Sequence, residues 1–230
     1  MIKYFIIGLN KTGTTSIKIA IEFALNSKSL NQITPKLRLN SLEKEIGIIG
    51  LSNFLSEEYD INVFKDRPWN TNFFYKKLHN YYSNSKFILT IRDEKEWWES
   101  VVKWLDTRAV WAKGKGEESI EKELYEKFKL YNNHFNCKSI NQQDYIKYYQ
   151  LYNNSALNYF KDNPNFYTLY LPKDFNWLNI QKIVNLDEET MKNNILKSLK
   201  ERDFKDLNDA DLNGKIKDWK FLNSNRNNLT

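Results

Sequence analysis

The chain has a single cysteine, Cys137. An intramolecular disulfide or a thiolate metal cluster needs more than one, so both are excluded. Seven glycines and four prolines are few for 230 residues, which predicts regular elements joined by short loops. Long apolar runs are missing as well. The N-terminal run Tyr4–Ile7 is too short for a signal sequence and far too short for a membrane span. The chain therefore reads as soluble, intracellular and cytoplasmic, without a membrane partner. The net charge of +6 favours anionic ligands. No arginine-rich run or RNA-binding signature accompanies it, so nucleic acid is not the expected partner. No internal repeat is present.

What is there is enough for a sizeable core: 41% of residues are hydrophobic and 15% aromatic. The length fits one domain, or one domain with a large insertion. The first stretch with chemical content is the N-terminus. Tyr4–Ile7 stops at Gly8, then come Asn10, Lys11, Thr12, Gly13, Thr14, Thr15 and Ser16, and a helix-like run begins at Ile17. That order is strand, tight loop, helix. Backbone N–H groups at a helix N-terminus, backed by the helix dipole, bind anions. Gly8 and Gly13 keep Cβ atoms out of the way, and Lys11 adds a positive charge. In the common nucleotide loop a lysine directly follows the last glycine. Here Thr14 holds that place and Lys11 precedes Gly13, so the loop suggests phosphate binding of a different kind.

Along the rest of the chain, apolar spacing predicts helices from Ile17 to about Leu30, Ser41–Leu55 (weakened by Gly47 and Gly50), Asn70–Tyr82 and Glu94–Asp106. Two long helical stretches follow, Glu118–Phe135 and about Gln142–Asp162, set off by the Gly/Lys-rich segment Lys113–Gly116. They read as an α-hairpin insertion, about 113–162, or a substrate-side cover. Helices Trp177–Asn185 and Thr190–Arg202 close the pattern, before a charged, Asn-rich tail. Strands are predicted at Tyr4–Ile7, Asp60–Phe64, Lys86–Ile91 and Phe166–Leu171. Strands alternating with helices imply an α/β fold around a parallel sheet, as a single domain over 1–230. Ligands of such sheets bind outside the carboxyl ends of the strands. Those ends here are Gly8–Ser16, Lys65–Pro68 and Arg92–Asp93.

Two of these segments resemble one family. Lys11-Thr12-Gly13-Thr14-Thr15 is similar to the 5′-phosphosulfate loop of sulfotransferases, whose usual form is close to P-K-[TS]-G-[TS]-[TS]. Lys86–Asp93, followed by Ser100 on the next helix, resembles their 3′-phosphate element. There an arginine ends a strand and a serine follows on the helix. The phrase Phe87–Asp93 with Trp97 and Trp98 is most like the bacterial and viral-type branch, and Tyr152–Ala156 and Leu169–Leu178 resemble that branch more loosely. The resemblance implies a P-loop-like three-layer α/β/α fold. The donor it implies is 3′-phosphoadenosine 5′-phosphosulfate, with adenosine 3′,5′-bisphosphate as product and no metal required. Gly8, Lys11, Thr12, Gly13, Thr14, Thr15 and Ser16 would hold the phosphosulfate, and Arg92 and Ser100 the 3′-phosphate. An arginine suits a fixed phosphate because it offers several N–H groups at once. A weaker likeness, at Gly214–Lys220, is to a Gly-Asp-Trp-Lys loop of the cytosolic branch. Lys217 stands there in place of the glycine, and the likeness is set aside as chance.

Lys11 is placed to neutralise the leaving phosphate, where a preorganised ammonium is worth most. The acceptor, a hydroxyl or amine, needs a general base. Family members use a histidine or glutamate after the second strand. The two histidines here, His79 and His134, fall in helices and read as surface residues. Asp66, at the second strand end, is the base candidate; the alternative is that it pairs with a neighbouring cation or caps the next element. Arg92 has a competing reading as the partner of Asp93 or Glu96. Two other functions fit the same pattern. A nucleotide phosphotransferase would need Mg²⁺ and a strand-end carboxylate, for which Asp93 is the candidate. A non-catalytic binding protein would explain the missing histidine or glutamate. The acceptor and the oligomeric state are not legible.

Overall fold

The structure, a computed structural model, describes residues 2–28, 39–66, 68–70, 73–113 and 142–201. Four strands form one all-parallel sheet, β1 (Tyr4–Ile6), β2 (Val63–Lys65), β3 (Lys86–Ile91) and β4 (Phe166–Tyr170), in the order β2-β1-β3-β4. The helices among the described residues are α1 (Thr14–Leu25), α2 (Leu39–Tyr59), α3 (Tyr75–Tyr81), α4 (Glu94–Lys113), α5 (Gln142–Tyr159), α6 (Trp177–Val184) and α7 (Glu188–Glu201). None is long and apolar enough to cross a membrane.

Strand alternation builds the two faces. Phe5, Ile7, Phe64, Phe87 and Leu89 enter one core, shared with α2, α3, α4 and α5. Tyr4, Ile6, Val63, Ile88 and Leu169 enter the other, shared with α1, α6 and α7. The result is the expected three-layer α/β/α arrangement, with both faces of the parallel sheet covered.

Several element bounds differ from the sequence reading, each for a local reason. α1 starts at Thr14 rather than Ile17 and stops at Asn26, which is left-handed (φ 49°) and bonds back to the last turn. α2 is interrupted at Gly47 (φ 70°, ψ 174°). α3 begins only at Tyr75, after Phe73 in the left-handed region (φ 57°). β2 is shorter and one residue further on than the alternation Asp60–Phe64 suggests. α4 runs on to Lys113. β3 has the bounds read from the sequence. The first arm of the expected hairpin, 118–135, lies outside the described residues, as do His134, Gly214–Lys220 and the tail. The second arm is α5, and it is a core helix rather than a cover. Tyr145, Tyr149 and Tyr152 are buried against the sheet side of the first core.

Candidate active site

The register sets the site. β1 ends beside Ile88, while β3 continues to Ile91, so the chain leaving β1 turns across the upper part of β3. Ile7 N still donates to Ile88 O at 2.9 Å. The next residue, Gly8, lies so close to Thr90 that a Cβ would stand 2.0 Å from Thr90 Oγ1. A side chain there would push the loop off the sheet. Thr12 then folds over the same residue, its hydroxyl 2.6 Å from Thr90 Oγ1 and 2.5 Å from Leu9 O, to which it donates. Thr90 and Thr12 are both fully buried. Thr90 is thus the floor of the loop, a role that sequence reasoning missed. Its only local signal is a hydroxyl inside the most apolar strand.

Neighbouring elements fix the loop from three sides. Asn70 Nδ2 donates to Gly8 O at 3.0 Å and to Asn10 Oδ1 at 3.2 Å. Trp97 Nε1, on α4, donates to Asn10 O at 2.9 Å. Tyr152, on α5, donates to Ile7 O at 2.7 Å. Burial raises the Tyr152 pKa well above its ordinary value, so this donor keeps its proton. Lys11 is left-handed (φ 73°), and its ammonium lies 5.3 Å from the centre of the Trp104 ring, a cation–π distance.

At the helix, Gly13 is left-handed (φ 81°) and caps α1 without a side-chain hydrogen bond. A Cβ there would lie 2.3 Å from the Phe175 ring. The first turn of α1 carries no acidic residue. α4, which starts at the neighbouring strand end, is built the opposite way. Asp93 Oδ1 accepts from Lys95 N at 3.0 Å and Glu96 N at 3.1 Å, and Glu94 and Glu96 add two carboxylates. Its dipole is already compensated. Asp93, the carboxylate named above for the nucleotide phosphotransferase reading, is therefore engaged as a helix cap.

The other strand ends bring the remaining candidates. Asp66, left-handed (φ 56°), follows β2 and accepts from Thr14 Oγ1 at 2.9 Å. It is also ion-paired with Lys65. Thr14 and Asp66 are thus brought together, and the carboxylate stands against the first turn of α1. Arg92, past the end of β3, forms an exposed ion pair with Glu96 at 3.0 Å, the competing reading given above. Its backbone is better held. The Tyr149 hydroxyl accepts from Arg92 N and donates to Arg92 O, both at 2.8 Å. Burial pushes the Tyr149 hydroxyl up to about 12, so it remains a donor as well as an acceptor. Ser100 is half-buried on α4, one turn after Trp97 and one turn before Trp104. Both of those indoles touch the loop, so Ser100 lies on the side of α4 that meets it. His79 is half-buried at the surface. Its ring is packed against Phe87, Tyr159 and Phe160.

Of the helices that start at the β1 and β3 ends, only α1 has a first turn with no acidic residue of its own. This is an α/β protein whose β1 end leads through a tight loop into the first turn of α1. Over residues 55–185, more than half its length, it matches the family of the sulfotransferase domain, and the chain belongs to that family. It is accordingly a transferase of the sulfotransferase type. The matched segment contains Asp66, Arg92 and Ser100, and begins after the 8–16 loop. No match is found among curated proteins.

Proposed function

We propose that the chain, as a single domain, transfers a sulfuryl group from 3′-phosphoadenosine 5′-phosphosulfate to an acceptor hydroxyl or amine. The observation that carries this reading is the start of α1, which has no acidic residue of its own and no side-chain cap, beside Lys11 and the Gly8–Gly13 loop. It is the part of the site that suits a phosphosulfate, and it adjoins the family-matched segment. When bound, the donor supplies an activated sulfuryl group on a phosphate leaving group. The first-turn N–H groups of Thr14, Thr15 and Ser16 and the hydroxyls of Thr15 and Ser16 hold that end, while the Thr14 hydroxyl stays on Asp66 and Gly8, Thr12 and Gly13 shape the loop around it. Lys11 moves its ammonium to the charge that develops on the departing oxygen. Asp66 takes the acceptor's proton as the new bond to sulfur forms. Arg92 and Ser100 hold the 3′-phosphate, with Arg92 exchanging Glu96 for the ligand.

Calorimetry with adenosine 3′,5′-bisphosphate tests the binding half. Binding by the wild type, with weaker binding by Arg92→Ala, is expected. Failure of the wild type to bind would sink the reading. Lys11→Ala should lower turnover with any active acceptor by about 100-fold or more, the usual cost of losing one preorganised charge-stabilising donor. Donor binding without transfer to a broad acceptor panel would point instead to a non-catalytic protein on this fold.

A further inference from the structure

Four contacts join the two ends of the site through α4 and α5. Trp97 Nε1 donates to Asn10 O in the loop at 2.9 Å. The Trp97 ring stacks on Tyr149, with centroids 4.3 Å apart and planes at 23°. The Tyr149 hydroxyl binds both Arg92 N and Arg92 O at 2.8 Å. Trp97 and Tyr149 are 1% and 2% exposed. A shift at one end of such a buried chain is not absorbed by water; it is passed to the next close-packed group.

We propose that Trp97 and Tyr149 are positioning residues that couple the two anion subsites. A 3′-phosphate at Arg92 tightens the grip of the 8–16 loop on the 5′ anion, and the reverse follows by linkage. The proposal rests on the donor reading above and adds to it a cooperative donor site. Neither residue was singled out for this by sequence. Trp97 entered the sequence reading through the family resemblance, and Tyr149 was not named.

The test measures affinities for adenosine 5′-monophosphate and adenosine 3′,5′-bisphosphate by calorimetry in the full chain. The variants are Trp97→Phe, which keeps the ring and loses the Asn10 donor, and Tyr149→Phe, which keeps the stack and loses the Arg92 bridge. Tyr75→Phe is the control, because its hydroxyl binds Ser155 at 2.9 Å, away from this chain of contacts. A purely local Trp97 contact would weaken both ligands by the same factor. Coupling lowers the gain from the 3′-phosphate by about threefold or more, the lower part of the range for contiguous networks. A purely local Tyr149 contact would leave the monophosphate affinity unchanged. Coupling weakens it by about threefold, although the lost hydroxyl lies at the other end. Either crossed effect supports the proposal. Bisphosphate binding with neither crossed effect, or the same crossed effects in Tyr75→Phe, overturns the coupling alone. No binding of either nucleotide by the wild type overturns the donor reading and the coupling with it.

Discussion

Thr14 Oγ1 donates to Asp66 Oδ1 at 2.9 Å, across 52 residues of sequence. The bond ties the first residue of α1 to the residue that follows β2. The candidate base and the candidate phosphate loop are therefore joined by a direct hydrogen bond. Asp66 also carries the Lys65 ion pair, so its carboxylate is oriented from two sides.

Asp66→Asn keeps the shape and the contact with Thr14 while removing the proton acceptor. Turnover should fall by about 100-fold or more, with bisphosphate affinity changed by less than about twofold, a shift well under 1 kcal/mol. Steady-state kinetics and calorimetry on the same preparation separate the two. Equal loss of binding and turnover would make Asp66 a structural partner of Thr14 instead.

Glu96 competes with any phosphate for Arg92, which it holds at 3.0 Å. The pair is exposed, so its own contribution to stability is small. Glu96→Gln should leave the melting temperature nearly unchanged and tighten adenosine 3′,5′-bisphosphate by roughly two- to fivefold, the scale of one exposed ion pair. Adenosine 5′-monophosphate should not respond in the same proportion. An unchanged bisphosphate affinity would remove Arg92 from the ligand.

Gly13 is held at φ 81° under the Phe175 ring. Gly13→Ala meets both backbone strain and a collision, and should destabilise the fold by about 1–3 kcal/mol. Denaturant unfolding measures it. Adding Phe175→Leu should recover part of the loss but not all, because the backbone strain remains.

His79 makes stability depend on pH. Asn163 Oδ1 accepts from Asn165 N at 2.8 Å, which aims the amide nitrogen at His79 Nε2, 3.0 Å away. Nε2 must accept, so the proton sits on Nδ1 and faces Tyr159 OH at 3.2 Å. Protonation would set two donors against each other. Burial lowers the His79 pKa from 6.5, so below that value the unfolded chain binds more protons than the folded one. The contribution of neutral His79 is complete above the unfolded value. It declines as pH falls from there through the lower folded value. Urea midpoints at pH 7.5 and pH 5 should show a larger drop for wild type than for His79→Gln. An equal drop would clear His79 of the effect.

The sequence made some of this architecture legible and hid the rest for physical reasons. β3 has the bounds read from Lys86–Ile91 because a strand covered on both faces reads as a nearly continuous apolar run, broken here inside only by Thr90. The start of α1 was harder to see, since its first turn is made of hydroxyl residues with no apolar periodicity. The Lys11–Ser16 pattern marked the candidate phosphate loop, and the Arg92–Glu96 pair was visible as a possible ion pair. The supports of the loop were not visible. Thr12 meets Thr90, Asn10 meets Trp97, and Ile7 meets Tyr152 at separations of 78, 87 and 145 residues. Pairings at that distance leave no local trace in a single chain. The stretch that became α5 read as an insertion or a substrate-side cover because it follows the Gly/Lys-rich break at Lys113–Gly116. In the fold its tyrosine rings fill the core and their hydroxyls hold strand ends.

The Phe175 ring over Gly13 also bears on when the protein becomes competent. Every residue assigned to the donor lies within the first 100 positions, yet the loop is roofed by a side chain that emerges much later. A nascent chain that has just produced Ser100 holds all the chemistry and none of the enclosure. Contacts this distant in sequence form late because their loop-closure entropy is paid last. On the proposed reading, donor binding would follow the docking of Phe175 over Gly13, after β4 has joined the sheet and the turn behind it has closed.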